Sequence, residues 1–457
     1  MTKTLGRRWR SLDVYANPRV RAMLFLGFSS GLPFALVLTT LSARLRQAGI
    51  DRSTIGYFSL VGLAYSLKYF WSPIVDRLPL PGLSRLGRRR SWMLLAQVGI
   101  VVGLAAIAMV DPAVDSHLVA RLAVLTAFAS ATLDISVDAY RIEAVGTESQ
   151  GAMAAAYQAG YQLALICAGA GALTVAAELG WKISYLVMAA CGLVGIVTTL
   201  CIAEPSARDT GSPRPVEPLV VEFLSKTTHW PRGLRSLVAW GVGALVCPFA
   251  DFFQRMGWRV GVISLGLVIA YRLNYTTMGV AANSFYLDMG FTLGQIALVS
   301  KAYGIVMTIV GAFLAGILIR GYGVARTLLT GLVLLSGANL VYAYIATIHP
   351  GVTWLAVAVS ADNVANGIAG TAFIAYMSSL TSANYTATQF ALFGTLWSLP
   401  AKMIASQWGT IVNAWGYPAF FIYTAIIGGA ALPMLIWMIW REHRGLDHGP
   451  VSQRPRS

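Results

Sequence analysis

Asp134, Asp138 and Arg141 occur at i, i+4 and i+7 in "LDISVDAYRIE" (133–143), so a helix there carries all three on one face. Two carboxylates that close disfavour double ionisation, and one can keep its proton near neutral pH unless Arg141 pairs with it. That is the chemistry of a reversible proton site. For Asp138, a static pair with Arg141 that anchors the helix end is the plainer alternative. The setting makes the choice consequential. These residues close a run of roughly twenty mostly apolar residues, and an aspartate within lipid costs about 2.5–3.5 kcal/mol on insertion scales.

Other chemistry-bearing residues have equally apolar neighbours. "YQAGYQ" presents Tyr157, Gln158, Tyr161 and Gln162 over an arc of roughly 140° of a helix. Ring faces beside amide donors suit sugars, which want apolar contact and hydrogen bonds together; interfacial belt tyrosines are the alternative. Lys68, Arg272, Lys301 and Lys402 lie inside apolar runs, Asn274 follows Arg272, and Asp362, Asn363 and Asn366 mark one further run. These four cations outnumber the acids Asp134, Asp138 and Asp362, which favours an anionic substrate. Lysines near the ends of runs can instead snorkel to the interface, Lys68 first among them.

The elements that position these groups are membrane helices. Hydrophobic residues make up 56% of the 457, charged residues 12%, and mean hydropathy is +0.64. Apolar runs long enough to cross about 30 Å of hydrocarbon fall near 22–43, 54–75, 91–110, 118–140, 152–177, 182–203, 260–283, 295–319, 324–346, 352–379, 388–412 and 417–440. The expectation is an all-α integral membrane protein with twelve spans. The net charge of +15 needs no nucleic acid: with the N-terminus inside, 25 of the 34 Lys and Arg lie on the inner side and five on the outer. That distribution obeys the positive-inside rule and puts both termini in the cytoplasm. The basic first twenty residues lack a cleavable signal pattern, so span 1 is expected to be an uncleaved anchor. Cys167, Cys191, Cys201 and Cys247 read as packing residues. No nucleophile–base set, phosphate loop or metal spacing occurs, so no enzyme activity, metal or cofactor is expected, and the five histidines lie in loops or at span ends.

The spans divide six and six: an N-terminal segment (1–21), a first bundle (22–203), a linker (204–259), a second bundle (260–440) and a tail (441–457). The linker holds "SLVAWGVGALVCPFADFF", read as an interfacial or re-entrant helix, because a crossing would invert every later loop. After span 2 comes "DRLPLPGLSRLGRRR" (76–90) and after span 8 "GILIRGYGVAR" (316–326). The first resembles the signature loop of the major facilitator superfamily, with an insertion of about nine residues between Asp76-Arg77 and Gly87-Arg88-Arg89; the second lacks the acid. The resemblance implies two six-helix bundles related by a pseudo-twofold axis, rocking about a midplane site. Asp76 is expected near a helix N-terminus with arginines pairing across it, a latch that includes Arg77, Arg88, Arg89 and Arg141. Generic inner-side charge is the alternative for Arg88 to Arg90 taken singly. In that superfamily spans 1, 4, 7 and 10 line the cavity and 3, 6, 9 and 12 face lipid. Here the buried charges fall on spans 4, 7 and 10, with lysines on 2, 8 and 11, while the outer spans offer only Gln97 and Asn339.

A narrower resemblance rests on "GFSSGLPFALVLTTLSARLRQAGIDRSTIGYFSLVGLAYSLKYFWSPIVDR" (27–77), "DISVDAYRIE" (134–143), "MGVAANSFYLDMGFT" (278–292), "VSKAYGI" (299–305) and "NYTATQFAL" (384–392). In order and spacing these are similar to AmpG-type muropeptide permeases. The resemblance implies proton-driven import, across the bacterial inner membrane, of N-acetylglucosaminyl-1,6-anhydro-N-acetylmuramyl peptides, feeding cell-wall recycling and β-lactamase induction. It adds Asn283 and Gln389 to the expected substrate contacts. Two departures stand out. The family's Gln-Asp pair is Leu133-Asp134 here, and Tyr275 occupies the place of an acid that commonly follows the span 7 base. Coupling then falls to Asp134, Asp138 or Asp362, or the cargo differs. Alternatives are a same-fold carrier of another bulky anion, such as acetyl-coenzyme A or a siderophore, and a non-transporting membrane sensor.

Overall fold

A computed structural model describes residues 13–50, 59–146, 149–205, 218–348 and 351–444, and among these all regular structure is helical. Lipid offers no hydrogen bonds, so each crossing segment must satisfy its own backbone. Spans 1 to 6 are α1 (Pro18–Gln47), α2 (59–77), α3 (Arg88–Met109), α4 (Ser116–Glu143), α5 (150–179) and α6 (181–201). A linker helix α7 (Arg232–Met256) precedes spans 7 to 12: α8 (258–288), α9 (293–322), α10 (Val324–Ile345), α11 (Val352–Leu380), α12 (Thr386–Ala405) and α13 (408–443).

Among the described residues eight helices are long and apolar enough to cross a membrane, with α5 and α6 counted as one continuous helix and α7 among the eight. The expected spans outside that set are α2, α8, α11 and α12, which carry Lys68, Arg272, Asp362 and Lys402. Two of them are interrupted at the cation. α2 tightens into a 3-10 turn over Lys68–Phe70, and α8 breaks into Trp258–Ala270 and Leu273–Asp288 with Arg272 at the join. The sequence pattern predicts continuous spans at both places. The breaks free backbone groups, a cost tolerated in membranes where the chain borders protein or water.

The repeat is legible in backbone geometry. Gly87 and Gly323 stand before α3 and α10 at φ 90 and 86, and Gly180 and Gly416 stand at the next pair of joints at φ 84 and 76. Positive φ costs a side-chain-bearing residue energy that glycine avoids. The stretch from the first glycine to the second has the same length in both halves. Each half also has its own apolar core, one running from Val20 to Ala189, the other in two clusters drawn from α8, α10, α11 and α13 with their neighbours. Large exposed apolar side chains lie on every helix expected to face lipid: Val102, Val197, Val333 and Ile426 on α3, α6, α10 and α13. Gln97, the polar residue of α3, is buried and accepts from Thr199 Oγ1 of α6 at 2.9 Å.

Small residues let backbones touch within the first half, as between membrane helices generally. A Cβ on Gly160 of α5 would meet the main chain of Leu24 and Phe28, and one on Gly27 of α1 the main chain of Tyr157. Gly160→Leu should therefore force α1 and α5 apart and cost at least the about 1–3 kcal/mol of an overpacked core. A Cβ at Gly169 meets nothing within 4 Å. Thermal unfolding in detergent should show a lowered midpoint for Gly160→Leu and little change for Gly169→Leu.

Candidate functional site

In the first half the residues singled out by type and spacing converge. Asp138 of α4 accepts from Lys68 Nζ of α2 at 3.5 Å and from Arg141 Nη2 at 3.3 Å. Asp138 is therefore an ion-paired residue between two cations, and Lys68 turns inward to it rather than snorkelling. Asp134, one turn deeper, neighbours Lys68, Asp138 and Ser30 of α1. Its Oδ1 is buried without a hydrogen-bond partner, as are Ser30 Oγ, Tyr65 Oη and Ser130 Oγ. Tyr157 and Tyr161 of α5 lie beside this group, their rings 6.1 Å apart, with Phe34 of α1 6.2 Å from Tyr161. Gln158 and Gln162 are half-buried on the adjoining face. The arrangement joins an acid with an open hydrogen-bonding atom to an aromatic wall.

In the second half, Arg272 at the α8 break donates to Asn366 Oδ1 of α11 at 3.0 Å and stands 4.3 Å from the Tyr275 ring centre. Asp362 neighbours the same guanidinium, and Gly370 leaves it room. Asp362, Asn366 and Arg272 thus form one group, with the Tyr275 ring stacked against the guanidinium. The other expected contacts go elsewhere. Asn363, 100° further round α11, accepts from Thr308 Oγ1 of α9 at 2.8 Å and donates to Val359 O, so it ties two helices of one half together. Asn274 is fully buried against Gly428 of α13 and Ser336 of α10. Lys402 donates to Ser66 Oγ of α2 at 2.6 Å, bridging the halves. Gln389 is buried and fully engaged, accepting from Ser382 N and donating to Pro248 O and to Asp251. All four were expected at the substrate; Asn363 and Gln389 are engaged within the protein, Lys402 is exposed beside Ser66, and Asn274 keeps its Nδ2 buried without a hydrogen-bond partner. Asn283 and Lys301 fall on α8 and α9, and their side chains lie outside the described residues.

A dense set of charges joins the halves at the arginine-rich face. Asp76, at the end of α2, accepts from the backbone N–H of Ala387 and Thr388 at 3.2 and 2.7 Å and from Thr388 Oγ1 at 2.8 Å. It thereby caps the N-terminus of α12 in the other half. Arg89 donates to Asp76 at 2.7 Å and to Glu143 at 2.6 Å, and Arg88 donates to Asp76 O. Arg141 reaches across to Ser378 Oγ of α11 at 2.8 Å and to the Phe390 ring of α12. Arg77 points elsewhere, to Gly243 O of α7. Two participants escaped the sequence reading. Glu143 closes the motif that began with Asp134, and its acid so near three arginines was the available signal. Glu204 accepts from the backbone N–H of Arg89 and Arg90, capping α3 where Gly87 leaves space.

Asp76 and Arg89 are both buried and hold one another as an ion pair, and the Thr388 donors complete the carboxylate's partners. Asp76→Asn should destabilise by about 3–5 kcal/mol, the cost of breaking a buried pair from one side. The deficit in thermal stability relative to wild type should stay constant from pH 5 to 8. A deficit that halves within that window would contradict this assignment.

The comparisons with known proteins agree with this geometry. The sequence pattern of the Major Facilitator Superfamily matches residues 23–403. The Anhydromuropeptide permease of Escherichia coli K12 is 33% identical over 431 residues, covering 94% of this chain and 80% of that one. Putative transporter AmpG 4 of Rickettsia felis is 32% identical over 427 residues, 93% of this chain and 97% of its own. Among solved structures, the proton:xylose symporter XylE bound to 6-bromo-6-deoxy-D-glucose superposes with a TM-score of 0.62 at 12% identity, covering 94% and 96% of the two chains; this likeness speaks for the fold alone. With its buried ion groups inside two repeated bundles, the chain belongs to the major facilitator superfamily of membrane transporters and, within it, to the AmpG-type permeases.

Proposed function

We propose that this chain imports N-acetylglucosaminyl-1,6-anhydro-N-acetylmuramyl peptides across the bacterial inner membrane, driven by protons, with both termini in the cytoplasm. The observation that carries the reading is the grouping of Asp134 with Lys68, Asp138, Tyr157 and Tyr161 on three helices of one half. A disaccharide offers ring faces to the tyrosines, and its acidic peptide offers carboxylates to a base such as Arg272. The name of the Escherichia coli relative supports the same cargo.

Asp138 is already neutralised between Lys68 and Arg141, which leaves Asp134 as the carboxyl that exchanges a proton. Asp362 beside Arg272 is the candidate for the second half. In this mechanism the latch at Asp76 and Arg141 closes the cytoplasmic face. Loading Asp134 with a proton and the cavity with cargo then lets the latch open and the halves rock.

Uptake of labelled anhydromuropeptide into proteoliposomes, with and without an imposed proton gradient, tests the reading; no gradient-dependent accumulation would defeat it. Asp134→Asn should abolish pH-driven uptake at near-normal expression. Arg272→Ala should weaken affinity for the anionic cargo by at least tenfold, and far less for the neutral disaccharide. Equal losses would assign Arg272 a structural role.

A further inference from the structure

Helix α7 is long and apolar enough to cross a membrane, yet its hydrogen bonds fix it in another orientation. Midway along it Gly243 O accepts from Arg77, the last residue of α2. Twelve residues on, Arg255 Nη2 donates to Leu380 O, the last residue of α11, at 3.0 Å. Those two helix ends lie on the same face of the protein, because Asp76 caps α12 just after α11 turns back. A helix covers about 18 Å in twelve residues. A spanning α7 would separate the two contacts by that depth; here it runs across the face instead.

The bonds to the first half follow from the local sequence. Residues Val242–Val246 form a π turn in which the Cys247 N–H reaches back to Val242 O. The same register would pair Gly243 O with position 248, which is proline and has no N–H. Gly243 O is thereby left for a side chain, and Arg77 takes it. Tyr69 Oη of α2 donates to Leu245 O at 2.8 Å. On the other side Gln389 of α12 donates to Pro248 O at 2.8 Å and to Asp251 at 3.0 Å, while Arg255 bonds Asp251, Gln389 and Leu380 O. Phe252 packs edge-on against Phe393 of α12.

We infer that α7 is a strap lying across the arginine-rich face, bonded to both halves, which keeps that face closed and must let go of one half before it opens. It adds a second fastening to the latch at Asp76, made mostly of hydrogen bonds to backbone carbonyls, two of them donated by arginine. The inference rests on the transporter reading only in requiring the face to open, so its test needs no substrate. Spin labels at Leu78→Cys and Tyr322→Cys, both exposed on this face in opposite halves, report its opening in the full chain with the four native cysteines replaced by alanine. Adding Arg255→Ala and Gln389→Ala should raise the long-distance fraction at least threefold. An unchanged distance distribution overturns the strap. The orientation is checked separately: Ser236→Cys and Gln254→Cys, both exposed, should react with an impermeant maleimide from the same side of the membrane, and reaction from opposite sides would mean that α7 crosses it.

Discussion

The carboxylate of Asp76 is the constraint on which the rest of the structure depends. It is 3% exposed, it bonds Arg89 at 1% exposure, and it holds the first turn of a helix in the other half. An uncompensated charge at that depth would cost several kcal/mol. The arginine, the two backbone N–H groups and the threonine hydroxyl satisfy it only when the halves meet on this face. Separating them leaves a buried acid short of three donors, so the closed face is a discrete state rather than one end of a soft continuum. Glu143 and Glu204 extend the same logic: each accepts from Arg89, one at its side chain and the other at its backbone.

The ion groups of the two halves play different parts around this constraint. Asp138 is compensated twice, by Lys68 and Arg141, and Arg141 also reaches Ser378 in the other half. Closure and the charge of the first-half site are therefore linked through one side chain. Asp134 sits one turn from that pair, and its Oδ1 is buried without a hydrogen-bond partner. The Arg272 group has no such bridge among its bonds to Asn366 and Tyr275, and it answers to its own half.

Much of this was legible in the sequence because burial in lipid is so costly. Asp134, Asp138 and Arg141 shared a face by spacing, and the Asp76 latch to a helix N-terminus followed from an acid beside clustered arginines. What failed was direction. Asn363 and Gln389 looked like cavity residues because amides inside apolar runs need partners, but a helix can supply those partners from behind as readily as from the cavity side. Hydropathy cannot distinguish the two; Asn363 differs from its neighbour Asp362 only by 100° of rotation. The break at Arg272 was invisible for a related reason, since no proline or paired glycines stand at the interruption and the cause is tertiary; the one at Lys68 had a local signal in Pro73, whose missing N–H leaves Tyr69 O to the Ser72 hydroxyl. The pairing of Gly243 O with Arg77 was hidden until a π turn was seen ahead of Pro248.

The backbone contact of α1 with α5 limits how this machine can deform. Where Gly160 rests on the main chain of Leu24 and Gly27 on that of Tyr157, there is no side-chain cushion to compress, so the pair behaves as a single stiff beam. Room for a bulky cargo in the first half therefore has to come from its mobile side chains or from the seam between the halves, because the contact of α1 with α5 cannot be compressed.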